Sequence, residues 1–275
     1  MAGASVEARK PTAAGVSYPA EREELAGTVR DLLARAQAKM DGQAAARSEG
    51  GRTPRAIVVP HAIRGMAGEV AAAAWARVAP AASRISRVLL LGPAHHASFA
   101  GIAAPFADAF ATPLGPVAVD RLAIEGVRRF AQVVVTDVPH EQEPSLEVQL
   151  PFVQAVLQDR SMVPLLVGDL PDAEASEVVA ALWDDETLVV VSTDLSHYFD
   201  APTARGMDES TALAIEALDA SAIAEENACG HAALRAVLLV ARERRLRASR
   251  IEVRHSGETT GELDEVVGYG AFVIG

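Results

Sequence analysis

The sequence predicts a single-domain α/β fold built on a mixed, largely parallel β-sheet with helices on both faces. Short runs of Val, Ile and Leu alternate along the chain with Ala-rich segments of helical period. Runs such as "VVV" and "VLLL" are apolar on both faces, which is typical of strands covered by helices on each side. No internal repeat and no linker-like segment divides the 275 residues, so we expect one domain over residues 1–275.

The elements follow from this alternation. Apolar runs predict strands near 56–60, 88–92, 133–137, 162–168, 187–193, 251–255 and 266–274. Segments of helical period predict helices near 20–40, 66–79, 119–130, 145–158, 173–183, 203–218 and 229–245. The last two strands follow each other without a predicted helix, which favours an antiparallel pair at that edge. Residues 1–10 are expected to be flexible, and the polar, Gly-rich stretch 38–54 is expected to be a surface loop.

Composition excludes several classes of partner. The formal net charge is −12, which disfavours a nucleic-acid backbone as a ligand because phosphate binding needs clustered Lys and Arg. The basic run 242–250 is interpreted as a solvated helix end. A single cysteine excludes an internal disulfide and fits a reducing compartment. The sequence has neither a signal-peptide pattern nor an uncharged apolar run of about 20 residues. We therefore expect a cytoplasmic protein that binds no membrane.

Three strand-like runs end in histidine. "AIVVPH" ends at His61, "RVLLLGPAHH" contains His95, and "TLVVVSTDLSH" brings Asp194 and His197. Ligands of open α/β sheets gather at the carboxyl ends of the strands. Imidazole and carboxylate groups are common metal ligands, and a carboxylate often orients a ligating imidazole. A hydrogen-bonded loop histidine is the alternative for each residue alone, and the threefold repetition makes a shared site about as plausible.

The only cysteine, Cys229, begins a predicted helix, with Asn227 as the expected N-cap. A helix N-terminus lowers the pKa of a thiol because its amide dipoles favour the thiolate. The alternative is a small buried side chain, which is the usual role of a free cysteine. Beside a histidine cluster, we favour a thiolate ligand.

Other polar residues have weaker claims to function. His96 must point away from His95 if the segment is extended, and His255 stands only at its own strand end. Glu147 lies in the first turn of a predicted helix, where a carboxylate complements the helix dipole. The apolar positions of that helix have core spacing.

Eight segments in this order resemble the MEMO family, which includes the B component of the AmmeMemoRadiSam system. "AAGVSYP" resembles its opening motif. The later matches are "VVPHA", "LGPAHH", "TPLGPVAVD", "SLEVQLPFVQ", "STDLSHY", "ACGH" and "SGETTGELDEVVGYGAF". The resemblance covers nearly the whole chain. The family is in turn similar in fold to the class III extradiol dioxygenases, which use non-haem iron.

The resemblance implies a metal site formed by His61, His95 and Cys229, with Asp194 and His197 lining the same pocket. It implies Fe(II) first and copper second, and the thiolate ligand also suits Zn(II). His197 would act as an acid/base or donate a hydrogen bond to bound oxygen, oriented by Asp194. The implied partners are an unknown small-molecule substrate and, through the gene set, radical SAM and AMMECR1-like proteins.

Two departures from the family pattern bear on activity. The tyrosines that usually follow the first histidine are absent, and Ile63, Arg64 and Met66 occupy that segment. Pro144 replaces the histidine of the usual EHSLE motif, and His140 is not a direct replacement for it. The sequence thus favours a metal-dependent oxidoreductase. A non-catalytic binding or scaffold protein and a metal-free hydrolase with Cys229 as nucleophile and His61 or His197 as base stay open as alternatives.

Overall fold

A computed structural model describes residues 7–44 and 53–275. The strands are β1 (Ala8–Arg9), β2 (Ala56–Val59), β3 (Arg87–Gly92), β4 (Ile102–Ala104), β5 (Ala109–Thr112), β6 (Gly115–Ala118), β7 (Val133–Val135), β8 (Ser161–Val167), β9 (Thr187–Ser192), β10 (His197–Phe199), β11 (Ala248–His255) and β12 (Val266–Ile274). The helices are α1 (Arg22–Ala44), α2 (Gly65–Val78), α3 (Arg121–Val127), α4 (Leu150–Leu157), α5 (Asp172–Leu182), α6 (Ala201–Glu216), α7 (His231–Glu243) and α8 (Gly257–Thr260).

The main sheet has nine strands, and its path runs β10-β12-β2-β9-β3-β8-β4-β7, with β11 on the other edge of β12. Its centre is parallel, since β9 pairs in parallel with β2 and β3, and β3 pairs in parallel with β8. Strand β12 runs antiparallel to β2, β10 and β11. The predicted α/β fold with a mixed, largely parallel sheet is confirmed, including its antiparallel edge.

The central strands are apolar on both faces because helices cover both. Every residue of β2 and β9 is buried, as are five of the six in β3. Helices α1, α2 and α4 pack on one another, while α5 packs on α7. One large cluster of buried apolar residues joins these layers. This continuous core agrees with a single domain.

All seven predicted strands are present, with bounds that differ by up to three residues. Five further strands, β1, β4, β5, β6 and β10, have four residues or fewer and carried no periodic signal. A small sheet of order β1-β5-β6 lies beside the main one. The predicted helix over 145–158 begins instead with a 3-10 turn at Glu147–Gln149, and α4 follows from Leu150.

Two loop predictions need correction. Helix α1 continues to Ala44, so the loop predicted over 38–54 is wrong for its first seven residues, whereas residues 45–52 lie outside the described part. Residues 1–6 of the segment expected to be flexible also lie outside it. Next to them, β1 pairs in parallel with β5 through Ala8 and Arg9. Within the described residues, no helix combines the length and apolar character needed to cross a bilayer.

Candidate functional site

Three neighbouring parallel strands deliver the predicted side chains to one edge of the sheet. His61 follows β2 by two residues, Asp194 follows β9 by two, and His95 follows β3 by three. Strand β9 lies between β2 and β3, so the three carboxyl ends are adjacent. The backbone N–H of His61 donates a hydrogen bond to Asp194 Oδ1 at 3.1 Å. The predicted convergence of these strand ends is thus present.

His61, His95 and Cys229 form one cluster. Each offers one ligand atom, and these atoms lie within 4.8 Å of one another. Cys229 Sγ is 3.8 Å from His61 Nε2. The two imidazole rings meet edge to face, with centroids 5.0 Å apart. Residues separated by up to 168 positions in sequence therefore present three nitrogen and sulfur donors to one point.

The loop after β9 holds the Cys229 thiol in place. The Asp194 N–H donates to Sγ at 3.3 Å, and the Thr193 hydroxyl lies 3.4 Å from it. Gly230 is the N-cap of α7, and its N–H donates to Thr193 Oγ1 at 2.8 Å. A Cβ on Gly230 would lie 2.8 Å from Thr193 Cβ, so this close approach needs glycine.

The prediction that Asn227 caps this helix is wrong. Asn227 belongs to a separate 3-10 turn, Glu225–Asn227, and its side-chain oxygen accepts a hydrogen bond from Ala224 N–H. Cys229 lies just before the N-cap of α7, which starts at His231. The Cys229 thiol is therefore held by hydrogen bonds from the loop after β9 and by the two imidazoles, and not by the helix cap expected from the sequence.

In the metal-free cluster, both imidazoles favour the protonated, positively charged form and Cys229 favours the thiolate. Burial lowers the pKa of His61, but the negative charges of Asp194 and Cys229 outweigh burial and raise it to about 9. Hydrogen bonds to Cys229 and Glu143 raise the pKa of His95 to about 10. Burial raises the pKa of Cys229, yet the charge on His61 and hydrogen bonds from both histidines lower it to about 6. A divalent cation bound by these atoms would displace the imidazole protons.

Glu143 fixes the orientation of His95. Its Oε1 accepts from His95 Nδ1 at 2.9 Å, and its Oε2 accepts from the His95 backbone N–H. The carboxylate is only 1% exposed, and the paired histidine lowers its pKa to about 2 against the effect of burial. With Nδ1 engaged, His95 Nε2 is the atom free for the cluster. A carboxylate on the far nitrogen of a ligating histidine is the usual outer partner in metal sites.

A buried ion pair anchors the segment that carries Glu143. Arg9 Nη1 lies 2.6 Å from Glu147 Oε2, and Arg9 also donates to the carbonyls of His140 and Glu143. Glu147 further accepts from Thr12, Ala13 and the Tyr18 hydroxyl. Glu147 is therefore a buried acceptor for groups of the N-terminal segment, a role beyond the helix-dipole interaction that the sequence predicts.

Asp194 contacts His61, whereas His197 lies farther along the same segment. Asp194 Oδ2 is 3.4 Å from His61 Nε2. His197 is the first residue of β10 and pairs with Val267 of β12, and the centroid of its ring lies 5.7 Å from that of Tyr198. Across the described ranges, no hydrogen bond links His197 to Asp194 or to the cluster. Asp194 thus orients His61 rather than His197, contrary to the expected pairing.

Two histidines of weak claim lie outside the cluster. His96 is exposed, and His255 is buried with its Nε2 facing Arg205 at 3.3 Å. Arg64, which occupies the segment where the family pattern has tyrosines, is exposed at the N-cap of α2. A cavity of about 790 Å³ lies elsewhere, between α1, β6 and the end of α4, and no cluster residue lines it.

The separation of Cys229 Sγ and His61 Nε2 fits a metal ion of ordinary size. For a tetrahedral ion with a metal–nitrogen bond near 2.0 Å and a metal–sulfur bond near 2.3 Å, the two ligand atoms lie about 3.5 Å apart. The Sγ–Nε2 separation here is 3.8 Å. Two imidazoles and one thiolate leave coordination positions for other ligands, which is the arrangement of catalytic rather than structural sites.

Sequence comparison identifies the family to which the chain belongs. The family model described as "Memo-like protein" matches residues 9–273. The chain belongs to the Memo-like family. A MEMO1 family protein of Aquifex aeolicus is 30% identical over 273 residues, covering 95% of this chain and 97% of that protein. A MEMO1 family protein of Thermotoga maritima is 31% identical over 281 residues, covering 95% and 97% respectively.

A solved structure supports the fold of this Memo-like chain. The uncharacterized protein JW3007 from Escherichia coli K12 superposes with a TM-score of 0.52 at 16% identity, covering 79% of this chain and 99% of that one. At this identity the likeness concerns the fold alone. The resemblance stated from the motifs is confirmed at the level of family and fold.

Sequence reasoning missed Glu143 and Arg9. Glu143 is 48 residues from His95, and Arg9 is 138 residues from Glu147, so no local spacing links either pair. The one available signal was the position of Glu143 directly before Pro144, inside a segment that matches the family pattern.

Proposed function

We propose that this Memo-like protein binds one divalent metal ion, Fe(II) foremost and copper second, through His61, His95 and Cys229, and uses it in a dioxygenase-like oxidation of a small molecule. The observation that carries the proposal is the convergence of three donor atoms within 4.8 Å of one another. Bound Fe(II) would bring dioxygen and a substrate together at its open positions, and the substrate itself would be oxidised and take up both oxygen atoms. Zn(II) would fit the same donors without redox chemistry.

The surrounding residues have separate tasks in this proposal. Glu143 holds the Nδ1 proton of His95 and keeps Nε2 directed at the cluster. Asp194 fixes the His61 backbone and lies 3.4 Å from His61 Nε2, where it can accept a proton from a bound ligand. His197 remains the proposed acid/base for the open side of the site.

A non-catalytic binding role is the second candidate, and Pro144 favours it. The family pattern has a histidine there, and a proline can neither bind nor transfer a proton. In that case the metal would shape a surface for a partner protein, with radical SAM and AMMECR1-like proteins as the proposed partners. Oxygen consumption separates the two candidates, since only the first consumes oxygen.

Metal content tests the proposal directly. Protein purified without oxygen and loaded with Fe(II) should hold about one ion per chain, because the three donors define one site. The Cys229→Ser and His95→Ala variants should lose most of it. His96→Ala is the matched control, because His96 is exposed beside His95 and should leave the metal content unchanged.

The outcomes divide the candidates. A wild type that binds neither Fe(II), Cu nor Zn(II) would refute the metal proposal and favour a hydrolase that uses the Cys229–His61 pair. Equal metal content in wild type and Cys229→Ser would remove Cys229 from the ligand set. Oxygen uptake with a panel of catechols, abolished in His197→Ala while its metal is retained, would support the dioxygenase-like role of the site.

A further inference from the structure

Tyr269 lies beside the strand end that carries Asp194. The residue before it, Gly268, donates its N–H to the Ser196 carbonyl and accepts from the Leu195 N–H. Tyr269 in β12 is therefore next to the segment that follows Asp194, at the carboxyl edge of the sheet where the cluster lies. Tyr269 also packs against the main core while staying half-buried.

The side chain of Tyr269 points away from α6. A Cβ on Gly268 would lie 2.0 Å from Asp208 Oδ2, so that position faces α6, which contains Asp208. Successive residues of a strand face opposite sides, so Tyr269 faces the other side. Val267 shares that side, as does His197, because directly paired residues of antiparallel strands point the same way.

The phenol of Tyr269 has a neighbour but no hydrogen bond. Burial, followed by the negative charge of Asp194, raises the pKa of the phenol to about 12. Among residues 7–44 and 53–275, no group forms a hydrogen bond with the hydroxyl. Tyr18, which is fully buried, bonds instead to Glu147. Tyr269 thus offers a proton donor that the fold itself does not use.

We propose that Tyr269 donates a hydrogen bond from its phenol to an oxygen atom of a small phenolic molecule bound at the His61–His95–Cys229 cluster. This inference rests on the proposed function, since it assigns the contact that the open side of that site makes with its ligand. The segment after β9 connects Tyr269 to the cluster, because Asp194 contacts His61 and the next residue, Leu195, donates its N–H to the carbonyl of Gly268, beside Tyr269. The phenol remains protonated at neutral pH and therefore acts as donor.

The test uses 4-nitrocatechol, a coloured catechol, as the probe. It is titrated into Zn(II)-loaded wild type and Tyr269→Phe protein, and Zn(II) is chosen because it permits binding without oxidation. We expect equal Zn(II) content in the two proteins and an affinity for the probe about tenfold weaker in Tyr269→Phe, as the loss of one hydrogen bond predicts. A purely structural role for Tyr269 would change thermal stability but not this ratio.

Tyr198→Phe is the matched control, because its hydroxyl lies on an exposed side chain in β10. It should bind the probe as wild type does. Equal affinity of Tyr269→Phe and wild type, an equal loss in both variants, or no probe binding by Zn(II)-loaded wild type would each overturn the inference. A wild type that takes up no metal would overturn the proposed function, and that result appears before any probe is added.

Discussion

Replacing Glu143 with Gln tests whether the carboxylate beside His95 controls metal affinity. The two side chains have the same shape, but both carboxylate oxygens of Glu143 face N–H donors. Oε1 accepts from His95 Nδ1 and Ser145 N–H at 2.9 Å each, and Oε2 accepts from the His95 N–H. A glutamine has one acceptor oxygen, so its amide nitrogen must face a donor. At least one buried N–H then loses its partner.

The size of the effect follows from the same contacts. The pKa of Glu143 falls from 4.5 to about 2 in the folded protein. At 1.36 kcal/mol per pKa unit, this fall corresponds to about 3 kcal/mol of preference for the charged form. Part of that preference is spent on the backbone donors, so we expect metal affinity to fall by about 10- to 100-fold, the usual range for such outer partners.

The assay is competition for Zn(II) between the protein and a coloured chelator at pH 7. Glu141→Gln is the matched control, because Glu141 is exposed two residues away and makes no side-chain hydrogen bond to any described residue. A Glu143→Gln protein that is folded and binds Zn(II) as tightly as wild type would refute the positioning role. An equal loss in Glu141→Gln would show that the effect is not specific to this contact.

Two further predictions concern the thiol and the buried ion pair. In metal-free protein, the alkylation rate of Cys229, the only cysteine, should rise with pH with a midpoint near pH 6. His61→Ala should move that midpoint upward because it removes the imidazolium that stabilises the thiolate. A midpoint near pH 9 in wild type would refute the low pKa of the thiol. Arg9→Met should reduce the free energy of unfolding, measured by denaturant titration, by about 3 kcal/mol, because it leaves the Glu147 charge buried without its cation. Arg128→Met, at an exposed ion pair, should reduce it by under about 1 kcal/mol. An equally small loss in Arg9→Met would contradict the prediction.

The elements that sequence predicted well are those whose pattern is decided by burial. Strands such as β3 and β9 have apolar residues at successive positions because helices cover both faces, and that signal is local. The strands β4 and β5 are rich in Ala, so their composition resembles the helices around them, and β6 contains Gly and Pro; all three have only three or four residues. Helix α1 continues through Gly42 because a glycine in an exposed helix costs only about 1 kcal/mol.

The residues of the site show the same difference between features with a local sequence signal and features that depend on tertiary packing. The three donors were expected because each stands in a recognisable segment, and family membership is confirmed. Their outer partners were not, because Glu143 reaches His95 only through tertiary packing of a loop. The same applies to Tyr269, whose strand was predicted to the residue but whose neighbours depend on how the chain crosses from β9 to β12.

Pro144 leaves the hydrogen bonds that orient His95 intact, but it removes a side chain that could transfer a proton. The turn around it uses donors from Ser145 and Val148, which bond to Glu143 Oε1 and the Pro144 carbonyl, so a proline without an N–H breaks nothing there. Ser145 also donates to the Pro93 carbonyl beneath the loop of His95. The scaffold that orients His95 therefore tolerates proline, whereas any proton transfer by a side chain at that position is lost. Metal binding and turnover should accordingly respond to different substitutions in this protein.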